Sequence, residues 1–118
     1  MRLSFALVPV TLLGVFALAQ QPSAIKDRLP VGDWKVEFSN GVAEKCMIGN
    51  GGELTVEEPA RRAMGMAEAK GGAVVITYTD DRIERWTPVG REWVVEHWFP
   101  ASRVPTVAPV LGIARRTE

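Results

Sequence analysis

The sequence has very little of the side chains that build disulfides and metal sites. Among its 118 residues there is one cysteine, Cys46, and one histidine, His97. A single cysteine cannot form an internal disulfide, so a hydrophobic core must hold the fold together. A single histidine is fewer than transition-metal sites ordinarily use. We therefore expect no disulfide framework, no metal and no other cofactor.

An excess of charge of either sign is also missing. The chain has 14 Lys and Arg residues against 14 Asp and Glu residues. This balance provides no broad basic surface for nucleic acid or anionic lipid. The glycine pairs lie in predicted hairpin turns, so the sequence offers no glycine-rich loop for phosphate either. We expect no nucleic-acid partner.

A long apolar run is present at the amino terminus. Arg2 precedes residues 3–19, which are almost uninterruptedly apolar and end in Ala17-Leu18-Ala19. The run is shorter than the roughly 20 residues of a membrane-spanning helix. It predicts a signal peptide, residues 1–19, cleaved after Ala19, with a retained anchor as the alternative. We therefore expect a periplasmic or secreted protein with no stable membrane insertion after cleavage.

The rest of the chain divides into a short leader and one domain. Residues 20–31 are polar and carry no clear period, whereas residues 32–118 alternate apolar and polar side chains between turn residues. Trp34, Val36 and Phe38, for example, alternate with charged residues. A period of two is typical of strands with one buried face. It predicts strands at 32–38, 42–48, 53–57, 63–70, 73–79, 82–86, 92–98 and 110–116.

These seven or eight strands are short and are joined by links of hairpin length. Strands in such an order must hide their edges, and an up-and-down barrel does so by closing on itself. We therefore predict an all-β fold, a small antiparallel up-and-down meander barrel. Residues 63–70 leave two interpretations open, a strand or a short helix. Gly65 favours the strand, which would turn Met64 and Met66 outward.

The first hairpin can be set in register from its side chains. A three-residue Ser39–Gly41 loop with a glycine bulge places Trp34 opposite Cys46 and leaves Glu44 as the one inward charge. A two-residue turn would instead put Lys45 on the apolar face. We therefore predict the bulged loop, in which Cys46 is buried.

The two ends of the domain carry a pattern that resembles a known group of barrels. Gly32-Asp33-Trp34 begins the first strand, and Arg115 and Arg116 lie on the last one. This pattern is similar to the Gly-x-Trp signature and terminal arginine of the calycins, which include lipocalins, avidins and small bacterial lipocalin-like proteins. The resemblance implies a ligand-binding barrel in which one of these arginines packs across Trp34. Strands of six residues make it only about 15 Å tall, with a shallow mouth.

Two similar triplets on neighbouring strands are candidates for a ligand site. Glu84-Arg85-Trp86 and Glu96-His97-Trp98 could bring a carboxylate, a guanidinium and an imidazole together on one face, near indole rings. We hypothesise that Trp86, Glu84, Arg85, Glu96, His97 and Trp98 bind the ligand, with Glu96 and His97 at the surface or the mouth. Cross-strand ion pairing beside aromatic packing is the alternative explanation.

No residue of the chain is assigned a catalytic role. Cys46 has the inward position of a structural thiol, without a positive group to lower its pKa. Asp80-Asp81, Glu57-Glu58 and Arg61-Arg62 are interpreted as turn and surface charges. A third hypothesis, an enzyme that uses Glu84, Glu96 and His97, is therefore disfavoured.

Two functions remain from the sequence. The first is an exported lipocalin-like module that binds a small apolar or amphipathic molecule in the barrel mouth. The alternative is a periplasmic protein-interaction or protease-inhibitor-like protein that binds an envelope protein. That alternative resembles the small periplasmic metalloprotease inhibitors, which share a Gly-x-Trp strand followed by a cysteine. The second cysteine and the disulfide of those inhibitors have no counterpart here.

Overall fold

A computed structural model describes residues 28–100 and 108–117, which form a closed antiparallel barrel. The predicted signal peptide, most of the leader and residues 101–107 lie outside the described residues. The eight strands found there are β1 (Gly32–Phe38), β2 (Ala43–Ile48), β3 (Glu53–Glu57), β4 (Arg62–Lys70), β5 (Ala73–Tyr78), β6 (Ile83–Val89), β7 (Glu92–Trp98) and β8 (Val110–Arg116).

The order of the strands is that of a meander. Each strand pairs with the next one along the chain, and β8 pairs with β1 to close the barrel. This topology confirms the predicted all-β up-and-down barrel. The part of the chain described here contains no helix that is long and apolar enough to cross a membrane.

The segment that the sequence left open between strand and helix is strand β4. Met64 and Met66 are exposed on its outer face, at 57% and 54%, while Ala63 and Ala67 are buried on its inner face. Gly65 suits this strand because a Cβ there would lie 2.6 Å from the carbonyl oxygen of Thr77. The close approach of the β5 backbone therefore requires a glycine at this position.

The first hairpin has the predicted bulged turn. Trp34 lies opposite Cys46, and Val36 opposite Glu44. The N–H of Phe38 donates to the carbonyl of Val42 at 2.8 Å, and Gly41 has a φ of +91°. Glu44 is buried, with its carboxyl side chain facing inward as the register predicts. Register and burial of the first two strands are therefore confirmed.

The turn between β5 and β6 repeats this geometry with a different sequence. The N–H of Tyr78 donates to the carbonyl of Arg82 at 2.9 Å, as Phe38 does in the first hairpin. The N–H of Arg82 donates to Asp80 Oδ1 at 3.2 Å. Asp81 occupies the position of Gly41 and adopts a φ of +74°. Aspartate tolerates this left-handed conformation better than most residues, but less well than glycine.

Gly41→Ala should destabilise the barrel, and Asp81→Gly should stabilise it. A residue with a side chain pays about 1–2 kcal/mol at such a φ, so Gly41→Ala should lose about that much free energy of unfolding. A methyl group at Gly41 would meet no atom within 4 Å, which leaves backbone strain as the cost. The gain in free energy of unfolding for Asp81→Gly should stay below about 1 kcal/mol, because glycine also increases the conformational entropy of the unfolded chain. Urea denaturation measures the free energy of unfolding of both variants. A Gly41→Ala variant as stable as the wild type would contradict the prediction.

Three tryptophans fill one end of the barrel. Trp34 and Trp86 are buried, and Trp93 is partly buried against them. The Trp34 ring meets the Trp86 ring edge to face at 5.9 Å between centroids, and the Trp93 ring in the same way at 6.4 Å. Edge-to-face contacts of this kind stabilise aromatic pairs beyond the area that they bury. We call this end, with Trp34, Trp86 and Trp93, the tryptophan end.

Arg116 covers the tryptophan end. Its guanidinium carbon lies 4.3 Å from the centroid of the Trp34 ring, and its Nη1 donates to the carbonyl of Val31 at 3.0 Å. Gly32 has a φ of +128°, and a Cβ at that position would collide with the Arg116 guanidinium. Gly32 therefore makes room for the cation over the ring. Arg115 lies on the outer face instead, where it pairs with Glu92.

Candidate ligand-binding site

A cavity of about 270 Å³ opens at the end of the barrel opposite the tryptophans. It lies between the turns that follow β1, β3 and β5 and the first residue of β8. Its polar lining includes Asn40 and Arg61 as well as Glu44, Glu58, Arg82 and His97. The apolar lining is Phe38, Val42, Pro59, Ala60, Phe99 and Val110. Two further recesses are lined partly by exposed charged side chains such as Lys45 and Glu57. Among these three, the end cavity is the one lined by both Arg82 and His97, and most of its wall is apolar.

The six predicted ligand-binding residues do not share one face. Glu84, Trp86 and His97 point into the barrel and are buried, because β6 and β7 alternate. Their neighbours Arg85, Glu96 and Trp98 point outward. The prediction that the two triplets act together on one face is therefore wrong. His97 is the one member of the six that lines the cavity.

The outward residues form an ion pair beside a ring. Arg85 Nε donates to Glu96 Oε1 at 2.7 Å, and the Arg85 guanidinium carbon lies 5.9 Å from the Trp98 ring centroid. Arg85 and Glu96 face each other across β6 and β7. This is the cross-strand pairing that was the alternative explanation for the triplets. Glu96 is thus on the outer wall rather than at the mouth.

The inward residues form a hydrogen-bonded group around Glu84. Trp86 Nε1 donates to Glu84 Oε1 at 3.0 Å, and His97 Nδ1 lies 2.7 Å from Glu84 Oε2. Glu84 is 1% exposed and His97 4% exposed, so both are interior groups. The His97 ring also packs on Phe99, with 4.8 Å between centroids. Glu84 therefore connects the tryptophan end to the wall of the cavity.

Sequence reasoning missed the ion cluster at the mouth of the cavity. Arg82 lies directly before β6 and is buried, with its side chain 4% exposed. Its Nη1 donates to Glu58 Oε2 at 2.6 Å, and its Nε donates to Asp80 Oδ2 at 2.9 Å. Arg61 Nε donates to the other oxygen of Glu58 at 2.8 Å. The interpretation of Glu58 as a surface charge is therefore wrong, since its side chain is 8% exposed.

A signal for Arg82 was present in the strand pattern. Arg82, Glu84 and Trp86 have the same parity, so the alternation that buries Trp86 also turns Arg82 inward. Charged residues are rarely buried without a partner, and the partners of Arg82 come from two different turns. The pattern thus identified the direction of the side chain but not the charges that it meets.

One nitrogen of Arg82 has no partner among the described residues. Arg82 Nη2 is buried and makes no hydrogen bond, whereas Nε donates to Asp80 and Nη1 donates to Glu58. Most buried polar groups in proteins are paired, so an unpaired guanidinium nitrogen is unusual. The Arg82 guanidinium carbon also lies 4.8 Å from the Tyr78 ring centroid, which fixes the plane of the group. Arg82, a residue of the cavity wall, therefore holds one donor that is buried and unused.

Glu44 carries a proton at neutral pH. Burial, together with the charges of Glu84 and Glu58, raises the pKa of Glu44 to about 8, although the charge of Arg82 acts in the opposite direction. A hydrogen bond links Glu44 to Glu58. Burial also acts on Glu58, but the hydrogen bonds from Arg82 and Arg61 outweigh it and hold the pKa of Glu58 below its ordinary value. The cavity thus contains one neutral carboxyl beside a charged one.

Burial also governs the two other titratable groups of the interior. It raises the pKa of Cys46 and of Tyr78, and the charge of Glu84 adds to both shifts. Cys46 is 2% exposed, which confirms its predicted burial. Its low reactivity stays a prediction. Within residues 28–100 and 108–117, no three His, Cys, Asp or Glu side chains are arranged to hold a metal ion.

The barrel and its cavity have to be interpreted from this chain alone. The chain matches no family model, no curated protein and no solved structure. An eight-stranded up-and-down barrel with Trp34 under Arg116 is compatible with a lipocalin-like fold. This compatibility rests on the number and order of the strands and on the contact between Trp34 and Arg116.

Glu44→Gln should remove a pH dependence of stability. The folded-state pKa of Glu44 is about 8, above its ordinary 4.5, so the folded state holds a proton that the unfolded state releases between these values. The stability contributed by this proton is complete below pH 4.5 and is lost as the pH rises towards 8, at up to about 1.4 kcal/mol per pH unit. Glutamine keeps a donor for Glu58 and does not titrate.

Urea denaturation between pH 5 and pH 9 measures this difference. The wild type should lose stability across that range more steeply than Glu44→Gln does. Glu53→Gln is the matched control, because Glu53 is exposed and its variant should follow the wild-type curve. Parallel curves for the wild type and Glu44→Gln would contradict the prediction.

Proposed function

We propose that the protein is an exported lipocalin-like module that binds one small amphipathic molecule in the end cavity. The observation that carries this proposal is the cavity itself, about 270 Å³ in volume, with an apolar wall and an unpaired buried donor on Arg82. Ligand sites in proteins typically combine a mostly apolar cleft with a few placed polar groups. The volume lies just below the usual range of about 300–1,000 Å³, so the ligand must be small.

Export is the second part of the proposal and rests on the amino-terminal residues. The apolar residues 3–19 and the small residues Ala17 and Ala19 have the pattern of a cleaved signal peptide. Amino-terminal sequencing of protein isolated from the producing cells tests it. A mature chain that begins at Gln20 supports export, and an intact Met1 contradicts cleavage.

In this proposal the buried Glu84 is structural and His97 lines the ligand cavity, and neither is catalytic. Both oxygens of Glu84 are engaged, one by Trp86 and one by His97. A carboxylate that is held in this way orients the imidazole towards the cavity. His97 therefore contributes to the shape and polarity of the wall.

Filling the cavity is the direct test of binding. Val110 is half-buried in the cavity wall, whereas Val89 is 59% exposed near the opposite end of the barrel. Val110→Trp should abolish binding of a medium-chain ester, and Val89→Trp should bind it as the wild type does. Isothermal titration calorimetry measures the affinity, and circular dichroism checks that both variants fold. Equal binding by the two variants would place the ligand outside this cavity.

A further inference from the structure

We infer that the protein forms a symmetric dimer through the outer face of strand β4, with a second copy of this chain as the partner. The contact residues are Arg62, Met64, Met66 and Glu68, all of them exposed, and we call them the methionine face. This face lies on the outer wall of the barrel. Dimerisation and ligand binding in the end cavity can therefore be tested separately.

The methionine face is the centre of an apolar surface. Met64 and Met66 are 57% and 54% exposed. From Met66 the same outward row continues across β5, β6 and β7 with Thr77, Ile83 and Trp98, each directly opposite the next. Contiguous exposed apolar patches on soluble proteins mark interaction sites, and unbranched methionine side chains adapt readily to a partner. The outer wall at β4 is therefore a surface that a protein partner would cover.

The closed barrel restricts how such a partner binds. Every strand is paired on both sides, so the barrel offers no free edge to which a further strand could be added. A partner must instead pack against the face of the sheet, where facing sheets lie about 10 Å apart with interdigitating side chains. The equal numbers of acidic and basic residues leave no net charge to hold two copies apart.

The order of charges on the methionine face selects a second copy as the partner. Arg62 and Glu68 lie three residues on either side of Gly65, and Met64 and Met66 lie between them. A two-fold axis that crosses β4 at Gly65 places the two β4 strands antiparallel, face to face. Arg62 then faces Glu68 of the second copy, and Met64 faces Met66 of the second copy. The symmetry makes each contact twice.

The same charges exclude the parallel arrangement of the two β4 strands. In that arrangement Arg62 would face Arg62 of the second copy, and Glu68 would face Glu68. Juxtaposed like charges cost several kcal/mol at an interface. The face is therefore complementary to itself in the antiparallel orientation.

Contacts within one chain leave both charged groups available to a second copy. The side chains of Arg62 and Glu68 are 66% and 73% exposed, and each has a neighbouring ion-pair partner at 3.3 Å and 4.0 Å, Glu57 and Lys70 respectively. Exposed pairs of this kind contribute little to stability. A guanidinium has five N–H donors, so Arg62 can bind Glu57 and Glu68 of the second copy together.

Sedimentation equilibrium of the full-length mature protein measures the association. The wild type should dimerise with a micromolar dissociation constant, as interfaces of modest size do. Met66→Lys should raise that constant by about tenfold or more, because two buried cations would replace apolar contacts. Leu111→Lys is the matched control, since Leu111 is 51% exposed on β8, on the opposite side of the barrel, and should dimerise as the wild type does. Circular dichroism checks that both variants fold.

Two results would overturn the inference at this stage. A wild type that is monomeric throughout the micromolar range would exclude the dimer. A Met66→Lys variant that dimerises as tightly as the wild type would place the contact on another face.

Charge reversal tests the antiparallel arrangement. Arg62→Glu alone sets glutamate against glutamate, and Glu68→Arg alone sets arginine against arginine, so each variant should dimerise about tenfold or more weakly than the wild type. Mixed together, the two variants should form a heterodimer with roughly the wild-type affinity, because each contact then joins an arginine to a glutamate. Native mass spectrometry resolves the heterodimer by its mass. A mixture that stays monomeric would overturn the inference.

Discussion

Trp34→Ala should leave the barrel close to unfolding at ordinary temperature. Trp34 is 2% exposed, contacts Trp86 and Trp93 edge to face, and lies under the guanidinium of Arg116. Removing a buried tryptophan side chain costs about 3–5 kcal/mol. The whole fold has only about 5–15 kcal/mol of stability. Thermal and urea unfolding followed by circular dichroism measure the loss.

A matched control separates the position from the residue type. Trp98→Ala removes the same side chain from the outer wall, where Trp98 contacts Arg85 and is only partly buried. This variant should unfold within a few degrees of the wild type. Similar losses for Trp34→Ala and Trp98→Ala would show that the barrel is not organised around its tryptophan end.

Removing the last strand should do damage comparable to the loss of Trp34. Strand β8 pairs with both β1 and β7, so deletion of residues 110–118 opens the barrel and also removes Arg116 from Trp34. Two strand edges would then be exposed. A deleted protein that keeps the wild-type unfolding midpoint would contradict the closed barrel.

Arg82→Met should destabilise the protein by about 3–5 kcal/mol at neutral pH. Arg82 is the buried partner of both Glu58 and Asp80, and removal of one member of a buried ion pair leaves uncompensated charge behind. Arg85→Met is the control, because the Arg85–Glu96 pair is exposed and should contribute little. Urea denaturation of both variants measures the difference.

The loss in Arg82→Met should depend on pH in a defined direction. Hydrogen bonds from Arg82 outweigh burial and hold the pKa of Glu58 below 4.5 and that of Asp80 below 3.8. Carboxyls with a lowered folded-state pKa contribute stability above their unfolded pKa and lose it as the pH falls through the folded pKa. The difference between the wild type and Arg82→Met should therefore be full at pH 7 and shrink below about pH 4. A difference that grows on acidification would contradict the ion cluster.

The candidate site was much harder to predict than the strands. The sequence identified His97 but grouped it with Arg85 and Glu96, which lie on the outer wall. Glu84 and His97 meet because they lie opposite each other across β6 and β7, and the sequence had not singled out this pair. The cluster around Arg82 was not predicted at all. Glu58 is 24 residues from Arg82 along the chain, and the two meet only because the turns after β3 and β5 lie at the same end of the barrel.

The sequence also did not predict which of the two arginines packs on Trp34. Arg115 and Arg116 are adjacent in sequence, and either could have packed on Trp34. The register between β1 and β8 pairs Trp34 with Arg116 and turns Arg115 outward to Glu92. That register joins strands that are far apart in the sequence, so no local pattern specifies it.

The sequence by itself determined the strands, their turns and the face of each strand that is buried. Period-two alternation and turn residues with a positive φ, such as Gly41, involve only residues that are close in the sequence. Strands and turns can therefore be predicted without knowledge of the tertiary structure. Only the tertiary structure decided which end is filled by tryptophans, which end keeps a cavity, and which buried charges meet there. These depend on the closed arrangement of the eight strands, which places turns that are remote in the chain at the same end of the barrel.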